Sequence, residues 1–308
     1  MIAPSPRSVL DALAHTIVGQ RAVVEALVLG LVADGHVLLE GPPGLAKTLA
    51  CRALAAALDG SFKRVQFTPD LLPADVIGTR VFDQRETAFT TVLGPIFANV
   101  VLADEINRAP AKVQSALLEA MQERQVTIGP QTHPLPDPFI VLATMNPLDA
   151  DGTYALPLAQ LDRFLLKVGL DFPSRDEERA ILERFAMEET ALVRGAATLR
   201  DVLAWRRQAR AVHVDDKIKR YVVDLVFATR ASSPYVARGA SPRATLALMF
   251  TARAKALIGG RDFVLPDDVR SIAPLVLGHR VAFTHKVLID RVDPQALVAD
   301  IVASVAAP

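Results

Sequence analysis

Four short stretches of this 308-residue chain combine residue types that handle phosphate. The first is Gly41-Pro42-Pro43-Gly44-Leu45-Ala46-Lys47-Thr48. A glycine-rich turn that enters a helix turns backbone N–H groups toward an anion, and the helix N-terminus adds positive potential. Lys47 is spaced to reach terminal phosphates, and the Thr48 hydroxyl is spaced to meet Mg²⁺. The general pattern has a second glycine where Ala46 stands, so the match is one residue short.

The second stretch is Val100-Val101-Leu102-Ala103-Asp104-Glu105. A buried strand that ends in two carboxylates delivers them to the carboxyl edge of an α/β sheet, where ligands bind. Side chains alternate along a strand, so the two acids need different work: Asp104 in the Mg²⁺ shell, Glu105 orienting or deprotonating the attacking water. The third is Asn146, at the end of the run Phe139–Met145, whose amide could bond a γ-phosphate oxygen and the lytic water. An Asn capping a turn before Pro147 explains it equally well.

Two arginines form the fourth. Arg163 lies in Gln160-Leu161-Asp162-Arg163-Phe164, and Arg243 in Gly239-Ala240-Ser241-Pro242-Arg243. Ser241 would cap a helix that Pro242 begins. A cation in that first turn is disfavoured by the helix dipole, which invites a phosphate as the reason for it.

These residues need a parallel sheet to converge. His36–Glu40 reads as a buried strand, with an Ala/Leu helix after the loop through Leu58; residues 9–33 read as helical pieces around a turn at Gly19. Phe62–Phe67, Val100–Ala103, Phe139–Met145 and Leu165–Phe172 read as four more strands. Residues 69–95 and 125–138 read as inserts, at least the latter a hairpin. Pro110 sits where a first helical position would, with Val113, Ala116, Leu117, Ala120 and Met121 at helical spacing behind it. At Ser174-Arg175-Asp176-Glu177, a capping box, the pattern becomes helical to the end. We therefore expect an α/β core over 1–173 and a smaller all-helical domain over 174–308.

Composition narrows the function classes. There are 34 basic and 34 acidic side chains, and 51% of residues are hydrophobic, enough for sizeable cores. Zero net charge argues against a strongly basic nucleic-acid binder. The balance is uneven: residues 1–171 carry a net −5 and residues 172–308 a net +5. The single cysteine, Cys51, and the absence of zinc spacing fit a reducing compartment. No signal peptide and no apolar run of bilayer length is visible, so a cytoplasmic location is expected. His133, His213, His279 and His285 are too dispersed for a metal site; Trp205 reads as core, and Asp215-Asp216 and Glu188-Glu189 as solvated helix faces.

The chain resembles the AAA+ ATPases and, within them, the MoxR family. The resemblance rests on Asp104 through Pro110 and on Gln114 through Glu123. It rests also on Thr144-Met145-Asn146-Pro147, Leu161-Asp162-Arg163-Phe164 and Ser241-Pro242-Arg243-Ala244. Ile17-Val18-Gly19-Gln20 is similar to the family's adenine-side motif and Val276-Leu277-Gly278-His279-Arg280 to its C-terminal signature, so the likeness spans about 17 to 290. Ala46 is normal in this family.

The resemblance implies Val18, Gly19 and Gly41 through Leu49 as nucleotide contacts, with Lys47 and Thr48 as Walker A. It implies Asp104 and Glu105 as Walker B, Asn146 as sensor 1, Arg163 as arginine finger and Arg243 as sensor 2. It further implies ATP and Mg²⁺ between core and lid, a homo-oligomeric ring that is usually hexameric, a protein client and a von Willebrand A domain partner. Ala155 and Leu158 depart from the family pattern, where Pro and Glu are usual; both flank Arg163.

The resulting expectation is an ATP-hydrolysing protein remodeller that matures or activates protein complexes. The alternatives are a motor subunit acting on DNA or within a metal chelatase, a P-loop small-molecule kinase, or a scaffold without turnover. A kinase would need an acceptor pocket and no arginines in these contexts. A scaffold is disfavoured by the presence of Lys47, Asp104, Glu105 and Arg163 together.

Overall fold

Apolar runs that stop at glycine, proline or a charged side chain form the strands, and longer runs with helical spacing form the connections. The computed structural model describes residues 4–42, 44–85, 87–146, 154–185 and 192–308. Two helices, α1 (Pro6–Thr16) and α2 (Arg21–Val32), precede β1 (Val37–Glu40). The glycine-rich loop then leads into α3 (Lys47–Ala57), followed by β2 (Phe62–Gln66). A short α4 (Pro73–Ile77) opens a hairpin of β3 (Gly78–Asp83) and β4 (Ala88–Leu93). Next come β5 (Val100–Asp104), a 3₁₀ turn (Ile106–Arg108) and α5 (Ala111–Glu123). The second hairpin is β6 (Gln125–Ile128) with β7 (Gln131–Pro134), before β8 (Ile140–Met145), α6 (Leu158–Leu161) and β9 (Leu166–Gly169).

From there the chain is mainly helical. It runs through α7 (Arg175–Phe185), α8 (Leu199–Ala211), α9 (Asp216–Ala228), α10 (Pro242–Ile258) and α11 (Pro266–Leu277). Against the expectation of an all-helical domain, two short strands, β10 (Val236–Arg238) and β11 (Ala282–Phe283), pair with each other, and α12 (Lys286–Ile289) and α13 (Pro294–Ser304) close the fold.

The five principal strands form one parallel sheet in the order β2-β5-β8-β1-β9. Registers such as Val37 with Leu142, and Phe62 with Val100, bring the carboxyl ends of β1, β5 and β8 to one edge. All strands run the same way, so everything appended to their carboxyl ends meets there.

Alternation along each strand divides the core in two. Leu38, Val101, Ala103, Val141 and Ala143 pack with Val113, Leu117 and Leu118 of α5. Their neighbours Val37, Leu39, Val100, Leu102 and Leu142 join α1, α2 and α3 on the other face. That second cluster continues without interruption into Val202, Leu225, Leu248 and Val276 of α8 to α11. Trp205 belongs to it, 3% exposed, with its indole N–H donating to the Pro4 carbonyl at 3.1 Å.

Several element edges shift from the sequence reading by a residue or more, and two of the shifts have a plain cause. The fifth strand ends at Gly169 rather than Phe172: β9 is an edge strand, Leu170 makes a last bond to the Glu40 carbonyl, and Phe172 is exposed before Pro173. Pro110 is the residue before the helix rather than its first, with an extended ψ of 152°. The capping box at Ser174 forms, Glu177 accepting from the Ser174 backbone and hydroxyl at 2.8 Å each. Glu188-Glu189 lie outside the described residues. Cys51 is buried and free, and burial pushes its thiol pKa up. Among the described residues no helix is long and apolar enough to cross a membrane.

Candidate active site

The carboxyl edge of the sheet carries a cavity of about 280 Å³ lined by Gly44 through Leu49, Arg64, Gln66, Asp104, Glu105, Thr144 and Asn146. Of the residues singled out in the sequence, the loop, the acidic pair and Asn146 therefore converge. Pro43 lies outside the described residues. Pro42 belongs to the loop between β1 and α3 but not to the cavity lining.

The loop is shaped by three small residues with separate constraints. At Gly41 an added Cβ would stand 2.7 Å from both the Cβ and the carbonyl oxygen of Leu170, so the loop passes too close to the end of β9 for a side chain. Gly44 has φ +85° with no atom within 4 Å of a notional Cβ, so conformation alone asks for glycine there. Ala46, in the place of the general pattern's second glycine, adopts the left-handed conformation at φ 54° and ψ 18°. An alanine held there costs about 1–2 kcal/mol, the kind of strain that gathers at ligand cradles.

Lys47 is the first residue of α3, and its ammonium donates to the Gly41 carbonyl at 2.7 Å, closing the loop on itself. Burial lowers the Lys47 pKa, and the charges of Asp104 and Glu105 pull it back up. A half-desolvated cation beside a helix N-terminus suits a polyanion.

The two acids share the cavity because the strand stops between them. Asp104 is the last residue of β5, and Glu105 takes a left-handed φ of 57°. That turn swings Glu105 to the same side as Asp104, although neighbours within a strand face apart. Thr144 ties the turn: its hydroxyl donates to Asp104 Oδ1 at 2.6 Å and accepts from the Glu105 N–H at 2.8 Å.

Both carboxylates are also engaged by β2. Arg64 bonds Asp104 Oδ2 at 2.7 and 3.1 Å, and Gln66 donates to Glu105 Oε2 at 2.8 Å. Arg64 also donates to Gln66 at 2.7 Å, and Arg108 pairs with Glu105 at 3.0 Å. The sequence reading assigns no role to Arg64 or Gln66 and includes Thr144 only within the motif that ends in Asn146-Pro147. The spacing of Arg64 and Gln66, two apart on a strand ending at the same edge, is the signal that could have found them.

The donor set fits a magnesium nucleotide. Mg²⁺ favours one or two carboxylates plus phosphate oxygens and water over an all-protein cage. Asp104 and Thr48 supply hard oxygens in the cavity, and among the described residues no cluster of three His, Cys, Asp or Glu could hold a metal unaided.

The remaining sequence candidates lie elsewhere. Val18 and Gly19 lie in the turn between α1 and α2, outside the lining of the cavity; a Cβ on Gly19 would meet the Glu177 carboxyl carbon at 2.8 Å. Arg163 and Arg243 line a second cavity of about 260 Å³ with His36, Met121, Gln122 and Asp162. Neither arginine lines the cavity of its own Lys47. Arg163 donates to the Leu118 carbonyl at 3.0 Å, and Arg243 stands exposed in the first turn of α10, where Ser241 accepts from its N–H at 3.1 Å.

Comparison with known proteins adds to this geometry. A profile described as "ATPase family associated with various cellular activities (AAA)" matches residues 36–166, and one described as "AAA lid domain" matches 228–301. The chain is 48% identical to "Chaperone MoxR1" of Mycobacterium tuberculosis, over 95% of this chain and 79% of that protein. It is 44% identical to the uncharacterized protein YeaC of Bacillus subtilis, over 96% and 92% respectively. A solved structure from Cytophaga hutchinsonii, described as an inferred ATPase, superposes with a TM-score of 0.90 at 41% identity. It covers 97% of this chain and 94% of that one.

Proposed function

The chain belongs to the MoxR family of AAA+ ATPases, and from that premise we propose that it hydrolyses ATP to drive remodelling of a protein client, in the maturation or activation of protein complexes. The observation that carries this reading is the convergence of Lys47, Thr48, Asp104, Glu105 and Asn146 on one cavity at the sheet's carboxyl edge. The name of the Mycobacterium relative supports a chaperone-like role.

In this reading Lys47 and the N-terminal turn of α3 bind the terminal phosphates, and Thr48 and Asp104 hold Mg²⁺. The bound ion neutralises charge on the phosphates. Glu105 accepts a proton from the attacking water, and Asn146 orients that water against the γ-phosphate. Gln66 and Arg108 bond the same Glu105 carboxylate oxygen, Oε2, and so hold the carboxylate from one side. Val18 and Gly19 contact the adenine side, and the lid begins near residue 174.

Arg163 and Arg243 line a cavity apart from the phosphates of their own chain, so both act on the nucleotide of a neighbouring copy. That makes the working unit a head-to-tail ring, a hexamer by analogy with the family, to which a von Willebrand A domain protein would bind as partner. An arginine supplied this way is worth about 10³–10⁵ in rate.

The test separates binding from chemistry. Lys47→Ala should lose nucleotide affinity, because Lys47 neutralises phosphate in ground and transition states alike; Glu105→Gln should bind normally and lose hydrolysis. Fluorescent-nucleotide titration and phosphate release on both variants decide it. Undiminished phosphate release by Glu105→Gln removes Glu105 from the mechanism.

A further inference from the structure

The Asp162 carboxylate lines the same cavity as the two arginines, and its partners are Arg280 and Ser241. Its Oδ1 accepts from Arg280 Nε at 2.8 Å, and its Oδ2 accepts from the Ser241 hydroxyl at 2.8 Å. Asp162 directly precedes Arg163, and Ser241 is the N-cap of the helix that carries Arg243. One carboxylate thus bridges the turn that presents the first arginine and the helix end that presents the second.

Arg280 completes the device. Its side chain is 3% exposed, and its donors are spent on the segment around Arg163. Nη1 bonds the carbonyls of Leu165 and Val276 at 3.1 and 2.5 Å; Nη2 bonds those of Asp162 and Phe164 at 3.3 and 2.5 Å. His279 adds a contact to the Phe164 carbonyl at 3.0 Å. A planar guanidinium with five donors is suited to fixing several acceptors at once, which an ammonium cannot do. The bond from Arg280 to Val276 ties all of this to the end of α11.

We propose that Asp162, clamped by Arg280 and Ser241, is a positioning residue that holds Arg163 and Arg243 as one rigid pair for presentation to a neighbour's nucleotide. Arg280 and Ser241 are its supports, and none of the three touches the reacting atoms. The arrangement has a physical motive. Two long cationic side chains that must meet one phosphate group together gain nothing from being placed independently, and a misplacement of about 1 Å can lower a rate on the order of 10²-fold. A half-buried carboxylate bonded to both segments couples their movement. Asp162 also offsets the charge of Arg280, to which it is paired at 2.8 Å, in a cavity wall that it shares with the two arginines.

The proposal rests on the reading that the two arginines act on the neighbouring copy, and the experiment keeps the two apart. The variants are Asp162→Asn, Ser241→Gly and Ser241→Thr in the full chain, with Arg163→Ala as reference. Glycine is a tolerated N-cap, so Ser241→Gly removes the bridge while keeping the helix start. Asp162→Asn and Ser241→Gly should lower kcat for ATP at least about tenfold, with KM changed less than about threefold, and Ser241→Thr should restore it.

Each slow variant, remixed with Lys47→Ala, should regain activity, because Lys47→Ala subunits present an intact arginine pair; remixed with Arg163→Ala, it should not. Hydrogen exchange supplies a readout that does not depend on assembly. Protection over residues 158–165 and 240–246 should fall together in Asp162→Asn and in Ser241→Gly, even though each changes only one segment.

A kcat within twofold of the parent in Asp162→Asn, or exchange that rises only in the substituted segment, overturns the proposal. A loss of kcat that Lys47→Ala mixing repairs for Arg163→Ala but not for Asp162→Asn overturns it too, by making the defect one of folding. Full activity of Arg163→Ala alone overturns instead the underlying reading of the arginines, whatever the exchange data say.

Discussion

Within the phosphate loop, neighbouring small residues are small for different reasons, and they should fail differently. Gly44 needs only its positive φ, with open space around a notional Cβ. Gly44→Ala should therefore cost about 1–2 kcal/mol, the price of a left-handed non-glycine residue, and leave nucleotide affinity measurable. Gly41 is crowded by Leu170 at 2.7 Å, including the backbone carbonyl, so Gly41→Ala must push the loop off the end of β9. It should destabilise more than Gly44→Ala and abolish binding. Thermal melts with and without ATP and Mg²⁺ test the pair; equal shifts would show that crowding at Gly41 is relieved without consequence. Ala46 already bears the left-handed strain, so Ala46→Gly should preserve binding.

At the level of elements, a buried imidazole joins β1, β8 and α5. His36 accepts the Val141 N–H on Nδ1 at 3.0 Å and meets the Met121 carbonyl through Nε2 at 3.1 Å, so the proton of the neutral ring is on Nε2. A second proton would have to sit on Nδ1, facing an N–H donor. Burial, with help from the nearby Arg124 charge, lowers the His36 pKa from 6.5 to about 3.

The folded state then binds fewer protons than the unfolded one across that window. Stability contributed by the neutral ring is full above pH 6.5 and declines as pH falls, by about 1.4 kcal/mol per pH unit. Burial lowers the His279 pKa as well, in the same direction. Urea midpoints between pH 7 and 5 should fall more steeply in the parent chain than in His36→Gln. Parallel slopes would mean that His36 is protonated in the fold without penalty.

At the scale of the whole molecule, the proposed active unit is larger than the chain. Arg163 and Arg243 line a cavity other than that of Lys47, so on the proposed reading hydrolysis should require assembly. A head-to-tail contact needs two different faces on each subunit. The net −5 over residues 1–171 and +5 over 172–308 supply complementary sign, screened by salt beyond about 10 Å at 0.1 M. Mass photometry of Glu105→Gln with ATP and Mg²⁺ should find rings that weaken as salt rises. A monomer at every salt concentration, together with undiminished ATPase activity of the parent chain, would rule out a shared site.

Much of this protein is local, and local features are legible in one dimension. The five strands, the loop before α3, the carboxylates at the end of β5 and the capping box at Ser174 depend on neighbours in sequence, so periodicity and spacing reveal them. Asn146 reads in sequence equally as a turn cap or a phosphate ligand, and the pairing of β8 with β5 and β1 brings it to the cavity that the loop lines. Strand alternation points Asp104 and Glu105 to opposite faces; what brings both to one cavity is a left-handed turn tied by Thr144, 39 residues on, which the sequence does not display. Arg64 and Gln66 went unnoticed because an arginine and a glutamine on a strand look like a solvated edge until the acids of β5 lie beside them. Above all, Asp162 and Arg280 are 118 residues apart, and no periodicity links them. Hydrophobic pattern and turn chemistry act over a few residues and so can be read from sequence. Which buried charge meets which, and which arginine faces which cavity, follows from packing the helical half against the sheet, and only the tertiary structure decides it.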